Sequence, residues 1–202
     1  MRQLLKSVGR LITGAWVLPR VGMFRLASAI LGPNRALQGA TQSLARIGGL
    51  HGEYLRRAFL SRTILRCDPT ATVCYGTIFS STAARIDAFV YVGARCHLGL
   101  VHLERDVLLG DGVQVPSGAH IHGTEDVLVP IREQAGRAEL VRIGEGTWVG
   151  SGAIILADVG RHCVIGAGSV VIKPLPDFVV AAGVPARVIR QRRGGSPPIE
   201  SA

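Results

Sequence analysis

The sequence is poor in aromatic residues and has no regularly spaced cysteines. Phenylalanine, tryptophan and tyrosine make up only 5% of the 202 residues, which is few for a helical bundle with a ring-filled core. The four cysteines, Cys67, Cys74, Cys96 and Cys163, form no CxxC pair. This pattern argues against a disulfide framework and against a cysteine-type zinc site, and it favours a reducing compartment, which we expect to be the cytoplasm.

Long apolar runs and evenly spread charge are also absent. No apolar run approaches the roughly 18–20 residues of a membrane span, and Arg20 and Arg25 interrupt the short run that could form the core of a signal peptide. Residues 1–66 contain eleven basic residues and one acid, whereas residues 67–202 contain twelve basic residues and thirteen acids. The excess charge therefore belongs to the N-terminal segment, and a uniformly basic nucleic-acid-binding protein is not expected.

The first 66 residues carry a helical pattern. Within residues 4–16, apolar residues recur at the spacing of one helix face, and basic and polar residues lie off that face. Pro19 is expected to end this helix, and two more helices are expected over residues 35–47 and 52–64. A basic amphipathic helix either contacts an anionic membrane through residues 1–18 or packs on the protein itself, and the sequence leaves both open.

From about Thr77 the pattern changes to a period of six residues. A period of six differs from the roughly 3.6 of a helix and the roughly 2 of a strand, and glycine at a fixed phase indicates short strands joined by tight turns. We expect the strands to stack as a solenoid around a column of aliphatic residues. The expected column contains Ile86, Val92, Leu98, Leu103, Leu109, Val115, Ile121, Ile143, Val149, Ile155, Val159, Ile165 and Val171.

Three irregularities interrupt the repeat. The spacing shortens by one residue between Leu98 and Leu103, and by two residues between Ile155 and Val159. A longer break predicts a protruding loop over about residues 122–142, and a loop of this length within a regular repeat is usually functional. The expected organisation is a helical segment over residues 1–66, a solenoid over residues 67–193 and a flexible tail over residues 194–202.

Histidines and one carboxylate flank the expected loop. Three hexapeptides give a coil of about eighteen residues, and this spacing separates His102 from His120 and Glu104 from His122. We therefore expect each pair to stack on successive coils, at about 4.8 Å. Such a patch could accept a proton from a hydroxyl, with Glu104 holding the imidazole tautomer. Alternatively, Glu104 caps a turn and His102 is a solvated surface residue.

The C-terminal half resembles a known enzyme family. The segments 143-IGEGTWVG-150, 166-GAGSVV-171 and 182-AGVPARVIR-190 are similar to motifs of the hexapeptide-repeat acyltransferases, in the branch that acetylates sugars and polysaccharides. The resemblance covers about residues 73–193. It implies an all-β, left-handed parallel β-helix that works as a homotrimer. It also implies transfer of an acetyl group from acetyl-CoA to a sugar or polysaccharide hydroxyl in cell-surface glycan biosynthesis, with no metal.

The same resemblance suggests site residues. A VxIxxxxH segment ends at His120, which makes His120 the favoured general base, and His122 is the alternative. The pantetheine arm of acetyl-CoA is expected along the late coils, with basic side chains at its phosphates. The residues implied for this donor site are Trp148, Gly166, Ala167, Ser169, Lys173, Arg187 and Arg190.

Two other classes of protein remain open. His97 and His102 have the HxxxxH spacing of a γ-class carbonic anhydrase, in which histidines from adjacent subunits hold zinc. Their order relative to His120 and His122 is the reverse of that family's. A solenoid that serves as a non-catalytic scaffold is the third class. Cys96 and Cys163 occupy the small-residue position of their repeats, so packing explains them better than catalysis does.

Overall fold

The structure is a computed structural model that describes residues 13–192. Residues 13–16 are helical, and three helices follow: α1 (Leu18–Leu31), α2 (Pro33–Ala45) and α3 (Gly49–Leu60). None of the helices in this part of the chain is long and apolar enough to cross a membrane. Most of the amphipathic pattern expected over residues 4–16, and the tail expected over residues 194–202, lie outside the described residues.

Helix α1 was not predicted from the sequence. Pro19 does not end a helix but lies in the first turn of α1, where the missing N–H of proline has no helical partner to lose. Backbone bonds from Val17 N to Thr13 O (3.1 Å) and from Val21 N to Val17 O (3.0 Å) carry the helical path past this point. Helix α1 ends before Gly32 instead. The φ of Gly32 is 82°, a backbone conformation that favours glycine.

The helices pack on the first coils of a solenoid. Helix α2 buries Leu37 and Leu44, and α3 buries Leu55 and Phe59. Arg56 joins the two parts, because its side chain is buried among backbone carbonyls. Its Nε donates to Val73 O at 2.9 Å, and its Nη1 donates to Leu44 O at 3.2 Å and to Ile47 O at 2.7 Å. Burial lowers the pKa of this guanidinium from its usual value.

In the described part of the chain, sixteen strands of two to six residues form three sheets, which are the three faces of the solenoid. The strands pair in parallel except for the last two. Face 1 contains β1 (Arg66–Cys67), β4 (Arg85–Ile86), β7 (Val101–Leu103) and β10 (Val141–Ile143). Face 2 contains β2 (Thr72–Val73), β5 (Tyr91–Val92), β8 (Leu108–Leu109), β11 (Trp148–Val149), β13 (Val164–Ile165), β15 (Val179–Gly183) and the antiparallel β16 (Ala186–Gln191). Face 3 contains β3 (Ile78–Phe79), β6 (His97–Leu98), β9 (Gln114–Val115), β12 (Ile154–Ile155) and β14 (Val170–Val171).

The expected aliphatic column is present in all but one position. Twelve of the thirteen residues are at most 2% exposed, and the exception is Ile121, at 41%. The six-residue repeat therefore identified the core correctly, and the hexapeptide coils fit a left-handed β-helix. The prediction that Ile121 points into the column was wrong, because the chain has already left the solenoid there.

The coils differ in length. On face 1, Arg66 pairs with Arg85, nineteen residues on, and Arg85 pairs with His102, seventeen residues on. Past the loop, Trp148 pairs with Val164, sixteen residues on. The two shortened spacings seen in the sequence are confirmed, since they produce the seventeen- and sixteen-residue coils. A uniform coil of eighteen residues was the wrong assumption.

The protruding loop starts earlier than predicted. It connects β9, which ends at Val115, to β10, which begins at Val141. It therefore spans residues 116–140 rather than 122–142, and it contains one 3₁₀ turn, Ile131–Glu133. Pro116 directly follows β9 and cannot donate a ladder hydrogen bond, which explains the early departure.

Arg56 provides a test of how the helices are attached. Arg56→Ala should lower the free energy of unfolding by about 3 kcal/mol, because three buried carbonyls lose a charged donor. Arg62→Ala is the matched control, since Arg62 is exposed and its Nη1 donates to Ala58 O and Ser61 Oγ on the surface of the same helix end. Chemical denaturation of both variants measures the difference. Equal stability of the two variants would show that Arg56 does not hold the helices to the solenoid.

Candidate functional site

A cleft of about 430 Å³ opens on face 3, beside the base of the loop. Helix α2, the outer surface of β6 and β9, and the loop form its walls. Its lining residues are Gln38, Ser80, His97, Gly99, Gln114, Pro116, Ile121 and His122. Two imidazoles, two amides and a hydroxyl thus surround a space large enough for a small polar ligand.

Strand register places His97 in this cleft. His97 precedes the buried Leu98 on β6, so it points away from the core. It pairs with Gln114 on β9, which also points outward. The two side chains therefore lie next to each other on face 3, at the spacing of adjacent strands.

The loop brings His122 to the same cleft. The base of the loop is closed by backbone hydrogen bonds from Glu139 N to Ser117 O (2.8 Å) and from Arg137 N to His120 O (2.6 Å). Ser117 Oγ accepts a bond from Leu100 N at 2.8 Å, which fastens the start of the loop to the solenoid. Among the described residues, neither His97 nor His122 is engaged by another side chain, so both imidazoles are available to a ligand.

His120 lies outside the cleft. Its side chain is 75% exposed, and its Nδ1 is 3.7 Å from Glu139 Oε1. Arg137 donates to the same carboxylate, and this hydrogen bond holds the pKa of Glu139 below its usual range. His120 and His122 therefore have different surroundings although they are two residues apart, and His122, not His120, lines the cleft.

The expected stacking of His102 on His120 and of Glu104 on His122 is wrong. His102 pairs with Arg85 and Arg142 on face 1, because forty residues separate it from its neighbour on the next coil. Its Nε2 is 2.9 Å from Asp87 Oδ2. Glu104 caps a turn of the next coil by accepting a bond from Glu145 N at 3.1 Å, as the alternative interpretation held. The loop takes up the residues that an eighteen-residue coil would have stacked.

His97 is the site residue that the sequence analysis missed. It was considered only as a partner of His102 in a zinc site, yet the two lie on faces 3 and 1, respectively. Within residues 13–192, no group of three or more histidine, cysteine or acidic side chains is arranged to hold a metal ion. The sequence did contain a signal for His97: it directly precedes the inward-facing Leu98, and the residue in that position of a repeat faces outward.

Small residues form a second feature, along the corner between faces 2 and 3. One residue of each coil from the second to the sixth lies there: Gly93, Gly110, Gly150, Gly166 and Ala182. A Cβ added to Gly150 would lie 2.5 Å from Ala167 N, and one added to Gly166 would lie 2.7 Å from Ala182 Cβ. The close stacking of the coils therefore leaves no room for a Cβ at Gly150 or Gly166.

Several residues expected to bind the donor lie along the late part of this corner. Gly166 and Ala167 are in it, and Arg187 pairs with Ala182 on the adjoining strand. On face 2, strand pairing places the half-exposed Trp148 next to Val164, Val164 next to Val180 and Val180 next to Arg190. These pairings place the Trp148 ring and two arginines near the late part of the corner.

Two expected donor-site residues are placed differently. Ser169 is buried, and its Oγ accepts a bond from Gly183 N at 3.2 Å, so its side chain holds the last coil together. Lys173 is exposed and follows β14, which places it at the corner between faces 3 and 1. Of the residues expected at the donor site, Gly166, Ala167, Arg187, Arg190 and Trp148 therefore lie in or near the late part of the corner, and Lys173 lies across face 3.

Residues 141–173 match the family described as bacterial transferase hexapeptide (six repeats). Curated relatives include a probable acetyltransferase of Mycobacterium tuberculosis, 35% identical over 44% of this chain and 31% of its own length. Another is a serine acetyltransferase of Haemophilus influenzae, 39% identical over 49% of this chain and 34% of its own length. The chain thus spans about a third of the length of the curated relatives it matches.

Solved structures support the fold. A maltose O-acetyltransferase from Clostridium difficile 630 matches with a TM-score of 0.54 and 23% identity, over 80% of this chain and 89% of its own. A variant of AntD, an N-acyltransferase from Bacillus cereus, in complex with dTDP and coenzyme A, matches with a TM-score of 0.53 and 19% identity, over 61% and 71%. At these identities the likeness concerns the β-helix alone.

The cysteines give a test of the packing around the site. Burial raises the pKa of the Cys67 thiol to about 12 and that of the Cys96 thiol to about 11. At pH 8 only about one Cys96 side chain in a thousand is then a thiolate, the reactive form. We expect neither thiol to react with Ellman's reagent in the folded protein, whereas all four cysteines react in denaturant. Rapid modification of Cys96 in the folded chain, located by mass spectrometry, would contradict its packing role.

Proposed function

We propose that this chain, which belongs to the hexapeptide-repeat acyltransferases, transfers an acetyl group from acetyl-CoA to a hydroxyl of a sugar or polysaccharide. The observation that carries the proposal is the cleft on face 3, where His97 and His122 meet beside the base of the loop. The sugar class rests on the resemblance of the C-terminal motifs to the sugar-acetylating branch. A role in the assembly of a cell-surface glycan is the corresponding biological proposal.

His122 is the proposed general base. A neutral imidazole accepts the proton of the acceptor hydroxyl, and the freed oxygen attacks the thioester carbonyl carbon of acetyl-CoA. A backbone N–H donates to the oxygen on which negative charge develops. When the C–S bond breaks, the imidazolium of His122 returns the proton to the leaving thiolate, so the histidine ends in its starting state. No covalent acyl-enzyme forms.

His97 and Gln114 are proposed to orient the acceptor. They lie side by side on face 3, and both line the cleft that His122 covers. Sugars present several hydroxyls, each able to donate and accept, and an imidazole and an amide can meet both needs. Holding the acceptor in this way would align one hydroxyl with His122 and leave the others away from it.

The corner between faces 2 and 3 is proposed to hold the donor. From Ala182 in the sixth coil to Gly110 in the third, three coil steps cover about 14 Å, at about 4.8 Å for each step. A narrow, extended arm suits a path of small residues, and Arg187 and Arg190 at the far end suit phosphate groups. The donor's thioester would then arrive beside face 3, next to the cleft.

Further parts of the proposal concern assembly and location. We expect a homotrimer in the cytoplasm, with a neighbouring copy completing each site. The face 3 cleft and the corner between faces 2 and 3 both lie on the outside of the β-helix, so a second β-helix packed against them would exclude water from the reaction.

The two neighbouring histidines provide the sharpest test of the base. His122→Ala should lower kcat at least about 100-fold, because general-base catalysis contributes roughly 10²–10⁴. His120→Ala is the matched control and should retain most activity, since its side chain lies outside the cleft. Release of coenzyme A from acetyl-CoA, measured with a panel of sugar acceptors, gives the rates. Loss of activity in His120→Ala alone would overturn the assignment.

Donor binding can be tested without knowing the acceptor. Calorimetric titration with acetyl-CoA should show saturable binding of about one molecule per chain. Arg187→Ala should weaken it about tenfold, the effect of one charge-assisted phosphate contact. Arg46→Ala, which removes an exposed arginine from the helical segment, should leave the affinity unchanged. If acetyl-CoA at millimolar concentration does not bind, the acyltransferase proposal fails, regardless of the activities of the histidine variants.

A further inference from the structure

Helix α1 exposes an apolar face that the rest of the described chain does not cover. One side of the helix packs inward through Val17, Val21 and Phe24, and the Phe24 ring meets the Phe59 ring edge-on at 5.8 Å. On the opposite side, Met23, Leu26 and Ile30 are 71%, 67% and 74% exposed. Their spacing of three and four residues places them in one stripe, whose outward direction follows from the burial of the other side.

Positive charge surrounds this stripe. At about 100° per residue, Arg20 and Arg25 lie on its two sides. The first acidic residue of the whole sequence is Glu53, so no carboxylate precedes α1 or occurs within it. Trp16, two residues before α1, continues the stripe, because Met23 follows it by seven residues, and it is 63% exposed although one edge of its ring meets the ring of His51. An exposed apolar stripe edged by arginines and a tryptophan is typical of helices that lie in a lipid headgroup layer.

A groove between α1 and α2 adds an independent feature. It has a volume of about 350 Å³, and its apolar walls include Met23, Phe24 and Leu31. Arg20 and Arg35 also line it. An apolar slot with two guanidinium groups beside it matches a phospholipid, whose acyl chain is apolar and whose phosphate is anionic.

We propose that the outer face of α1 docks the protein on an anionic membrane surface. The sequence left open whether residues 1–18 contact a membrane or pack on the protein; this proposal places a membrane contact at residues 16–31, which include the exposed stripe. Charge complementarity favours lipid over a second copy of this chain, since two copies of an acid-free, arginine-edged face would repel each other. Docking would hold the face 3 cleft close to the membrane, where a lipid-linked glycan would be presented.

The test is co-sedimentation of the full chain with vesicles. Phosphatidylglycerol vesicles should retain the protein, phosphatidylcholine vesicles should retain far less, and added salt should release it. Leu26→Glu should lower the partition coefficient about tenfold or more, because it removes a leucine side chain that the lipid would bury and adds a negative charge. Leu128→Glu is the matched control: Leu128 is 89% exposed on the loop, so the same change should have no effect.

Three results would overturn the proposal. The first is that phosphatidylglycerol vesicles do not bind the chain, and the second is that both leucine variants lose binding equally. The third is that Leu26→Glu lowers the oligomeric state in sedimentation equilibrium while vesicle binding is unchanged, which would assign the stripe to a second copy. Each result is independent of acetyl-CoA binding and of transfer activity, so the docking proposal and the proposed function fail separately.

Discussion

The column of aliphatic side chains inside the solenoid is the constraint on which the rest of the structure depends. Each face of each coil must deliver one such side chain to the column, whatever the length of the turn between faces. Leu103 and Ile143, for example, are paired neighbours in this column although forty residues separate them. Because the column fixes the strands and not the turns, extra residues can only leave the solenoid. The loop at residues 116–140 is therefore free to carry chemistry that the repeats cannot.

Much of this fold could be read from the sequence because the repeat is local. The period of six, the glycines that follow the aliphatic residues and the shortened spacings at Leu103 and Val159 all report on turns within a single coil. Stacking across coils is different, since it depends on the summed lengths of all the intervening turns. A coil of nineteen residues followed by one of seventeen averages eighteen, yet neither places a side chain where a uniform eighteen would. His102 and Glu104 were misassigned because the loop at residues 116–140 leaves the solenoid before the next strand of face 1, so that the neighbour of His102 on the next coil is Arg142, forty residues on.

The site shows the same division between local and long-range information. Outward orientation of His97 follows from its own repeat, whereas its meeting with His122 depends on how a loop of twenty-five residues folds back. The resemblance to a VxIxxxxH segment favoured His120, and the placement of Ile121 in the column assumed that the strand pattern continues to that residue. Pro116 ends the strand five residues earlier. Beyond Pro116, the path of the chain through His120 and His122 depends on backbone hydrogen bonds at the base of the loop, between Glu139 and Ser117 and between Arg137 and His120. The six-residue repeat does not encode these bonds.

Helix α1 illustrates how function-related surface can contradict simple sequence rules. Pro19 suggested a helix end, and the apolar residues of α1 do not form a single stripe, because the helix is apolar on two opposite sides. An inward face that includes Val21 and an outward face that includes Leu26 cannot both be satisfied by the protein's own core. The second face is a cost to the isolated chain in water, at about 25 cal/mol for each Å² of apolar surface left exposed. A partner surface would remove that cost, and the arginines beside the stripe favour an anionic one.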